Sequence, residues 1–263
     1  MAYDNAHQAT ADSEANVAAS SELDPMAVLA ARLNAELRHA EPGVIIAAAI
    51  RTFGRKLALV SSFGAESAVL LHLAAQVDAN IPVLFLDTGM HFGQTLDYRK
   101  NLASALGLTN VRDLRPAFED LAIRDPKATL WQTDVDGCCH IRKVLPLDRA
   151  VAGFDAWITG RKRFQASTRM SLPVVEYAEG KLKFNPLANW GPEQLAAYVE
   201  ANALPAHPLV AQGYPSIGCW PCTKPVEAGA DARSGRWQGL EKTECGIHLA
   251  HTPGEAANVG GDI

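Results

Sequence analysis

The chain has 263 residues, 24 Lys and Arg against 29 Asp and Glu, a net charge of −5 and 48% hydrophobic residues. This composition excludes collagenous, coiled-coil and wholly disordered chains, and the length suffices to bury a core without disulfide staples. The acidic balance argues against a nonspecific nucleic-acid or membrane-surface binder, whose phosphate contacts need a basic excess.

The first 22 residues carry neither a basic n-region nor an apolar h-region, and no apolar run approaches the roughly 18 residues of a membrane span. The expectation is a cytoplasmic protein whose residues 1–22 form a disordered polar tail. In that compartment paired Cys are metal ligands or redox groups rather than structural disulfides. Asp24-Pro25 opens a helix with Met26, Leu29, Leu33 and Leu37 on one face, and Glu41-Pro42 restarts a second helix through Phe53. Lys56 to Ser61 reads as a buried strand and Ala65 to Ala75 as a helix after a Gly-containing turn. The unit recurs: strand Pro82 to Leu86, helix Thr95 to Leu106, strand Asn110 to Leu114, short helix Ala117 to Ile123, strand Ala156 to Thr159. Such alternation predicts an α/β fold with a parallel sheet covered on both faces. Leu172 to Phe184 reads as a hairpin turning at Glu179-Gly180, and Pro192 to Asn202 as a helix. Residues 23–203 are thus expected to form one nucleotide-binding α/β domain. Residues 204–263, rich in Pro, Gly and Cys, form an irregular C-terminal segment too reactive in composition to be a linker.

Ligands of open α/β sheets bind where strand ends lead into helix N-termini. Three loops suit that role. Ser61-Ser62-Phe63-Gly64 offers hydroxyls and backbone N–H groups to an anion. Asp87-Thr88-Gly89 ends a strand with a carboxylate able to accept from a ribose hydroxyl or an adenine amine. Gly160-Arg161-Lys162-Arg163, followed by Arg169, places guanidinium forks at a third strand end.

Cysteine spacing is the sharper signal. Cys138-Cys139 and Cys219-Trp220-Pro221-Cys222 can complete a four-thiolate site for Zn²⁺ or for an iron–sulfur cluster. Adjacent Cys are an awkward source of two corners of a tetrahedral zinc site, whereas neighbouring thiolates can reach separate irons of a cubane, which favours [4Fe–4S]. Cys245, the fifth, stands near His248 in a segment able to carry it into the anion site, where a basic surround would favour the nucleophilic thiolate.

Together, Cys138-Cys139 with Arg142-Lys143 and Pro146-Leu147, the Cys219–Cys222 pair, and Lys242-Thr243-Glu244-Cys245-Gly246-Ile247-His248 resemble the assimilatory sulfonucleotide reductases, most closely the thioredoxin-dependent adenylyl-sulfate reductases of bacteria. The resemblance runs from about Phe53 to His248. It implies an adenine nucleotide α-hydrolase-like, PP-loop fold, one [4Fe–4S] cluster on Cys138, Cys139, Cys219 and Cys222, and Cys245 as nucleophile. It implies a substrate site made by Ser61 to Gly64, Asp87 to Gly89, Lys143, Arg161, Arg169, Arg236 and His248, with adenylyl sulfate (APS) as substrate and thioredoxin as electron donor. Laid on the superfamily's S-G-G-x-D-S pattern, the chain has Phe63 in place of Gly and Glu66 in place of Asp. The departures suit an enzyme that splits off no pyrophosphate, and they leave the roles of Glu66 and Ser67 open. The rivals are a reductase of the 3′-phosphorylated nucleotide (PAPS), which in the family usually lacks the four cluster Cys, and a nonenzymatic zinc- or nucleotide-binding module.

Overall fold

Strands alternating with helices build a six-stranded sheet of order β3-β2-β1-β4-β6-β5, whose inner strands β1, β2 and β4 are buried throughout. The strands are β1 (Leu57–Ser61), β2 (Val83–Leu86), β3 (Val111–Leu114), β4 (Ala156–Ile158), β5 (Val175–Ala178) and β6 (Lys181–Phe184). All pairings are parallel except β5 on β6. That exception is the predicted hairpin: Glu179 and Gly180 both adopt positive φ, 54° and 74°, the turn whose twist matches paired strands. The computed structural model describes residues 24–227, 229–240 and 242–248; the expected tail over residues 1–22 and residues 249–263 lie outside them.

Side-chain alternation in β1 assigns the two faces of the sheet. Leu57 and Leu59 join the larger core with Ile45, Leu71, Leu102 and Phe184, whereas Ala58 and Val60 face Leu147, Val151 and Trp157. The larger face is covered by α1 (Pro25–Leu37), α2 (Pro42–Phe53), α3 (Ser67–Val77), α4 (Gly93–Ala105) and, later in the chain, Pro192–Ala201. Asp24 caps α1, accepting from Met26 N at 2.8 Å, with Pro25 in the first turn. Asn34 of α1 then accepts from Val175 N at 3.0 Å, satisfying an N–H on the edge strand.

The stretch between β3 and β4 carries the expected short helix, α5 (Phe118–Arg124), and three helices that periodicity alone does not assign: α6 (Leu130–Thr133), α7 (Val135–Cys139) and α8 (Leu145–Val151). A π-helical turn, His140–Val144, joins α7 to α8. Pro146 explains this wide turn: it has no N–H to give the preceding turn, and its ring crowds the carbonyl four residues back. Beyond α9 (Pro192–Ala201) the described residues form short 3-10 turns, Val210–Gln212 and Trp220–Cys222, and isolated β-bridges at Cys219 and Thr223. No described helix is long and apolar enough to cross a membrane.

Candidate active site

Strand order reverses between β1 and β4, so the loops leaving their carboxyl ends diverge and open a crevice. A cavity of about 440 Å³ lies there, within the roughly 300–1,000 Å³ usual for small-molecule sites. Ser61, Ser62 and Gly64 line it from the β1 loop, Thr88 from the β2 loop, and Arg161 and Arg169 from the β4 loop. Lys143, Arg236, Cys245 and His248 converge on it from the π-turn and the C-terminal segment.

Phe63, Asp87 and Gly89 stand outside this lining. Phe63 is fully buried, its ring edge-on to Phe85 at 5.5 Å. Its φ is +48°, the left-handed region that explains why the wider pattern has Gly there. Burying the ring, worth about 1.5–3 kcal/mol, offsets a strain of about 1–2 kcal/mol. Asp87 accepts from Arg115 Nε at 2.9 Å and from Gly89 N at 3.2 Å, so its carboxylate is engaged in its own turn. The β1 loop is likewise closed on itself: Phe63 N donates to Ser61 Oγ at 3.2 Å, and Gly64 N to Ser67 Oγ at 2.8 Å. Ser67 therefore shapes the loop. Glu66 reaches the β4 loop instead, accepting from Lys162 Nζ at 2.8 Å and Gln165 Nε2 at 2.7 Å.

Six cations line the cavity, Lys143, Arg161, Lys162, Arg169, Arg233 and Arg236, against three carboxylates, Glu66, Asp231 and Glu244. Lys162 pairs with Glu66, Arg161 with Glu176, and Arg169 with Glu244 through two bonds of 2.7 Å. Among the described residues Lys143 and Arg236 have no ion-pair partner, and Arg236 Nε and His248 Nδ1 are buried without a hydrogen bond. Buried polar atoms with nothing to bind are costly unless a ligand completes them. Burial alone would lower the Lys143 pKa, but Cys219, Cys245 and Cys139 around it raise it, which keeps the ammonium charged. Burial, then Arg161, Arg169 and Lys183, hold His248 well below the usual histidine range, so its imidazole is neutral. Gly218 leaves room for Arg236: a Cβ there would fall 2.3 Å from Nη2.

Cys138 and Cys219, one Cys of each pair, pack together beside this cavity. Cys138 and Cys139 end α7, and a backbone bridge between His91 and Cys219 brings the second pair to the loop after β2. Cys138 and Cys219 pack with Met90, under Leu130 and Trp131, and Thr88 Oγ1 lies 3.3 Å from Cys219 Sγ. Burial, with Cys139 adding to it, pushes the Cys138 thiol up to about 12, so a thiolate here needs a bound cationic group. Trp237 N donates to Cys222 O at 3.1 Å, yet its indole Nε1 is buried without a partner. Soft donors, burial and an orphaned N–H fit a resident metal–sulfur group. Among the described residues no three of His, Cys, Asp and Glu converge closely enough for a single ion. Sequence reasoning gave no site role to Arg233, Trp237 or Glu244, although Glu244 stands in the motif directly before Cys245. The Arg233–Arg236 spacing was a usable signal for the first; the contacts of the other two are long-range.

Residues 56–225 match the phosphoadenosine phosphosulfate reductase domain family. A protein of Mesorhizobium japonicum named adenosine 5′-phosphosulfate reductase is 54% identical over 86% of this chain and 90% of its own. One of Gloeobacter violaceus named phosphoadenosine 5′-phosphosulfate reductase is 45% identical over 79% and 88%. The crystal structure of a Candida auris phosphoadenylyl-sulfate reductase in a phosphate complex superposes with a TM-score of 0.63 at 32% identity, covering 74% of this chain and 96% of that one. Strand order, strand-end cavity and these matches agree, and the chain belongs to the phosphoadenosine phosphosulfate reductase domain family, with its PP-loop α/β fold.

Proposed function

We propose that the chain reduces APS to sulfite and AMP in assimilatory sulfate reduction, in the cytoplasm, with both electrons supplied by a thioredoxin-type dithiol. The observation carrying this reading is Cys245 in one cavity with two cations, Lys143 and Arg236, that have no ion-pair partner among the described residues. A thiolate attacking the sulfur of an anionic phosphosulfate meets charge repulsion, and fixed cations in a partly dry site screen it. The Cys245 thiolate forms a bond to the sulfate sulfur as the sulfur–oxygen bond to phosphate breaks, and AMP leaves with that electron pair. The enzyme is left with an S-sulfocysteine. A donor thiolate then attacks Cys245 Sγ, sulfite departs with the bonding pair, and a mixed disulfide forms. The donor's second thiol resolves it and returns the Cys245 thiolate. Sulfur gains two electrons and the dithiol loses two. Neutral His248 contributes a hydrogen bond without adding charge, and the β1 loop hydroxyls shape the nucleotide's seat.

Cys138, Cys139, Cys219 and Cys222 would hold one [4Fe–4S] cluster, with Thr88 Oγ1 and Trp237 Nε1 as the hydrogen-bonding groups available to its sulfurs. When bound, that group supplies a fixed charge beside Lys143. A second reading, reduction of PAPS, is favoured by the Gloeobacter violaceus relative that carries that name. Sulfite release with thioredoxin, assayed with each nucleotide, decides: turnover on APS at least tenfold faster supports the proposal. Preference for PAPS establishes the second reading, and no sulfite from either leaves a binding module.

A further inference from the structure

Cys245 stands between two anchors of opposite chemistry. Before it, Glu244 docks on Arg169 through parallel bonds, Oε1 from Nε and Oε2 from Nη2, both 2.7 Å. Arg233 Nη2 is 3.8 Å from the same carboxylate. After it, Gly246 turns the backbone through φ +91°, which favours glycine. Ile247 then packs beside the smaller core, and His248 stacks on Trp157 with ring centroids 5.5 Å apart. Arg169 is braced from behind: its Nη1 donates to Gln165 Oε1 at 2.6 Å, and Gln165 Nε2 donates to Glu66 at 2.7 Å.

The pair is shielded, with side chains only 11% and 18% exposed, so salt screens it little. A planar guanidinium held by two parallel bonds fixes orientation as well as distance. It also neutralises Arg169 before any ligand arrives, leaving an incoming anion to Lys143 and Arg236.

Resting on the reductase reading, we propose that Glu244 is a positioning residue: its clasp on Arg169 holds residues 242–248 closed over the cavity and aims Cys245 Sγ at the substrate. The cations then divide their labour. Arg169 holds the strap that carries the nucleophile, and Lys143 and Arg236 hold the anion. This narrows the role expected for Arg169 from its place in the sequence.

Two measurements on the full-length chain test the clasp, using Glu244→Gln and the charge-conserving Glu244→Asp. The first is amide hydrogen exchange of the 242–248 peptide without nucleotide. Exchange should be slow in the wild type, at least tenfold faster in Glu244→Gln, and intermediate in Glu244→Asp. The second is single-turnover transfer from APS, read as Cys245 adduct, beside equilibrium binding of AMP. Glu244→Gln should slow transfer about tenfold or more while AMP binds equally or more tightly, because a carboxylate has left a cationic site. A damaged site would lose both. Unprotected exchange in the wild type, equal behaviour of the Gln and Asp variants, or wild-type transfer in Glu244→Gln overturns the clasp. A wild type that forms no adduct defeats the reductase reading instead, while the exchange measurement still decides the clasp.

Discussion

Asp125→Ala removes half of an ion pair buried beneath the site. Arg142 Nη2 and Nε donate to Asp125 Oδ2 at 2.6 and 3.3 Å, Arg142 Nη1 donates to Thr88 O at 2.9 Å, and Leu130 N donates to Asp125 Oδ1 at 2.9 Å. The side chains are 6% and 1% exposed, so the variant strands a desolvated guanidinium. Breaking such a pair costs about 3–5 kcal/mol, and at ~2–4 °C per kcal/mol for a chain of this size the midpoint should fall by about 6–20 °C. The control is Asp113→Ala, which loses the 2.6 Å pair with Arg99 at a carboxylate 41% exposed and should cost about 1 kcal/mol or less. Burial alone would raise the Asp125 pKa, but the hydrogen bonds from Arg142 and Leu130 hold it below its ordinary value of 3.8. The stabilisation is therefore complete above that ordinary value and disappears as pH falls through the folded one, so the variants should be compared near pH 7. Thermal unfolding by circular dichroism suffices. Equal midpoints for the two variants would refute the reasoning that this buried pair holds the π-turn to the segment after α5.

Gly218→Ala should weaken APS binding by tenfold or more, because a Cβ 2.3 Å from Arg236 Nη2 forces the guanidinium aside; calorimetric titration with APS checks it. Ser at any of Cys138, Cys139, Cys219 or Cys222 should lower bound iron and visible absorbance in anaerobically purified protein, read by iron analysis. His207, 1% exposed, accepts from Leu209 N at 3.2 Å through Nδ1, so its Nε2–H faces Thr95 Oγ1 at 3.1 Å. Burial pushes its pKa down to about 4 from 6.5. The unfolded chain therefore takes up this proton first, and stability should fall between pH 6.5 and 4 by up to about 3 kcal/mol. His207→Gln should flatten that slope in denaturant titrations across the range.

What the sequence revealed depended on the range of the interactions involved. The strands were legible because Leu57 to Ser61 and Val83 to Leu86 are buried throughout, and the hairpin because Glu179-Gly180 tolerates positive φ. The helices around Cys138 were not, because Gly137 and Pro146 disguise a helical period that a π-turn rescues. Gly137 is there for close approach: a Cβ would fall 2.1 Å from the Asp134 carboxylate that caps α7. In the site, the Arg161 to Arg169 loop was readable from its place after a strand. The pairing of Arg169 with Glu244, 75 positions away, rests on tertiary contact that no local pattern encodes. Phe63 shows the same limit from the other side: the motif comparison marked its position, but its positive φ and full burial against Phe85 emerge only from the folded chain.

The central claim is that Cys245 takes the sulfonate. Mixing the cluster-loaded wild type with APS and no dithiol should release one AMP per chain and no sulfite. Peptide mass analysis should then find one SO₃ group on the peptide holding Cys245, and Cys245→Ser should bind APS yet carry no adduct. An adduct on Cys138, Cys139, Cys219 or Cys222, or sulfite released by Cys245→Ser once thioredoxin is added, would contradict the account.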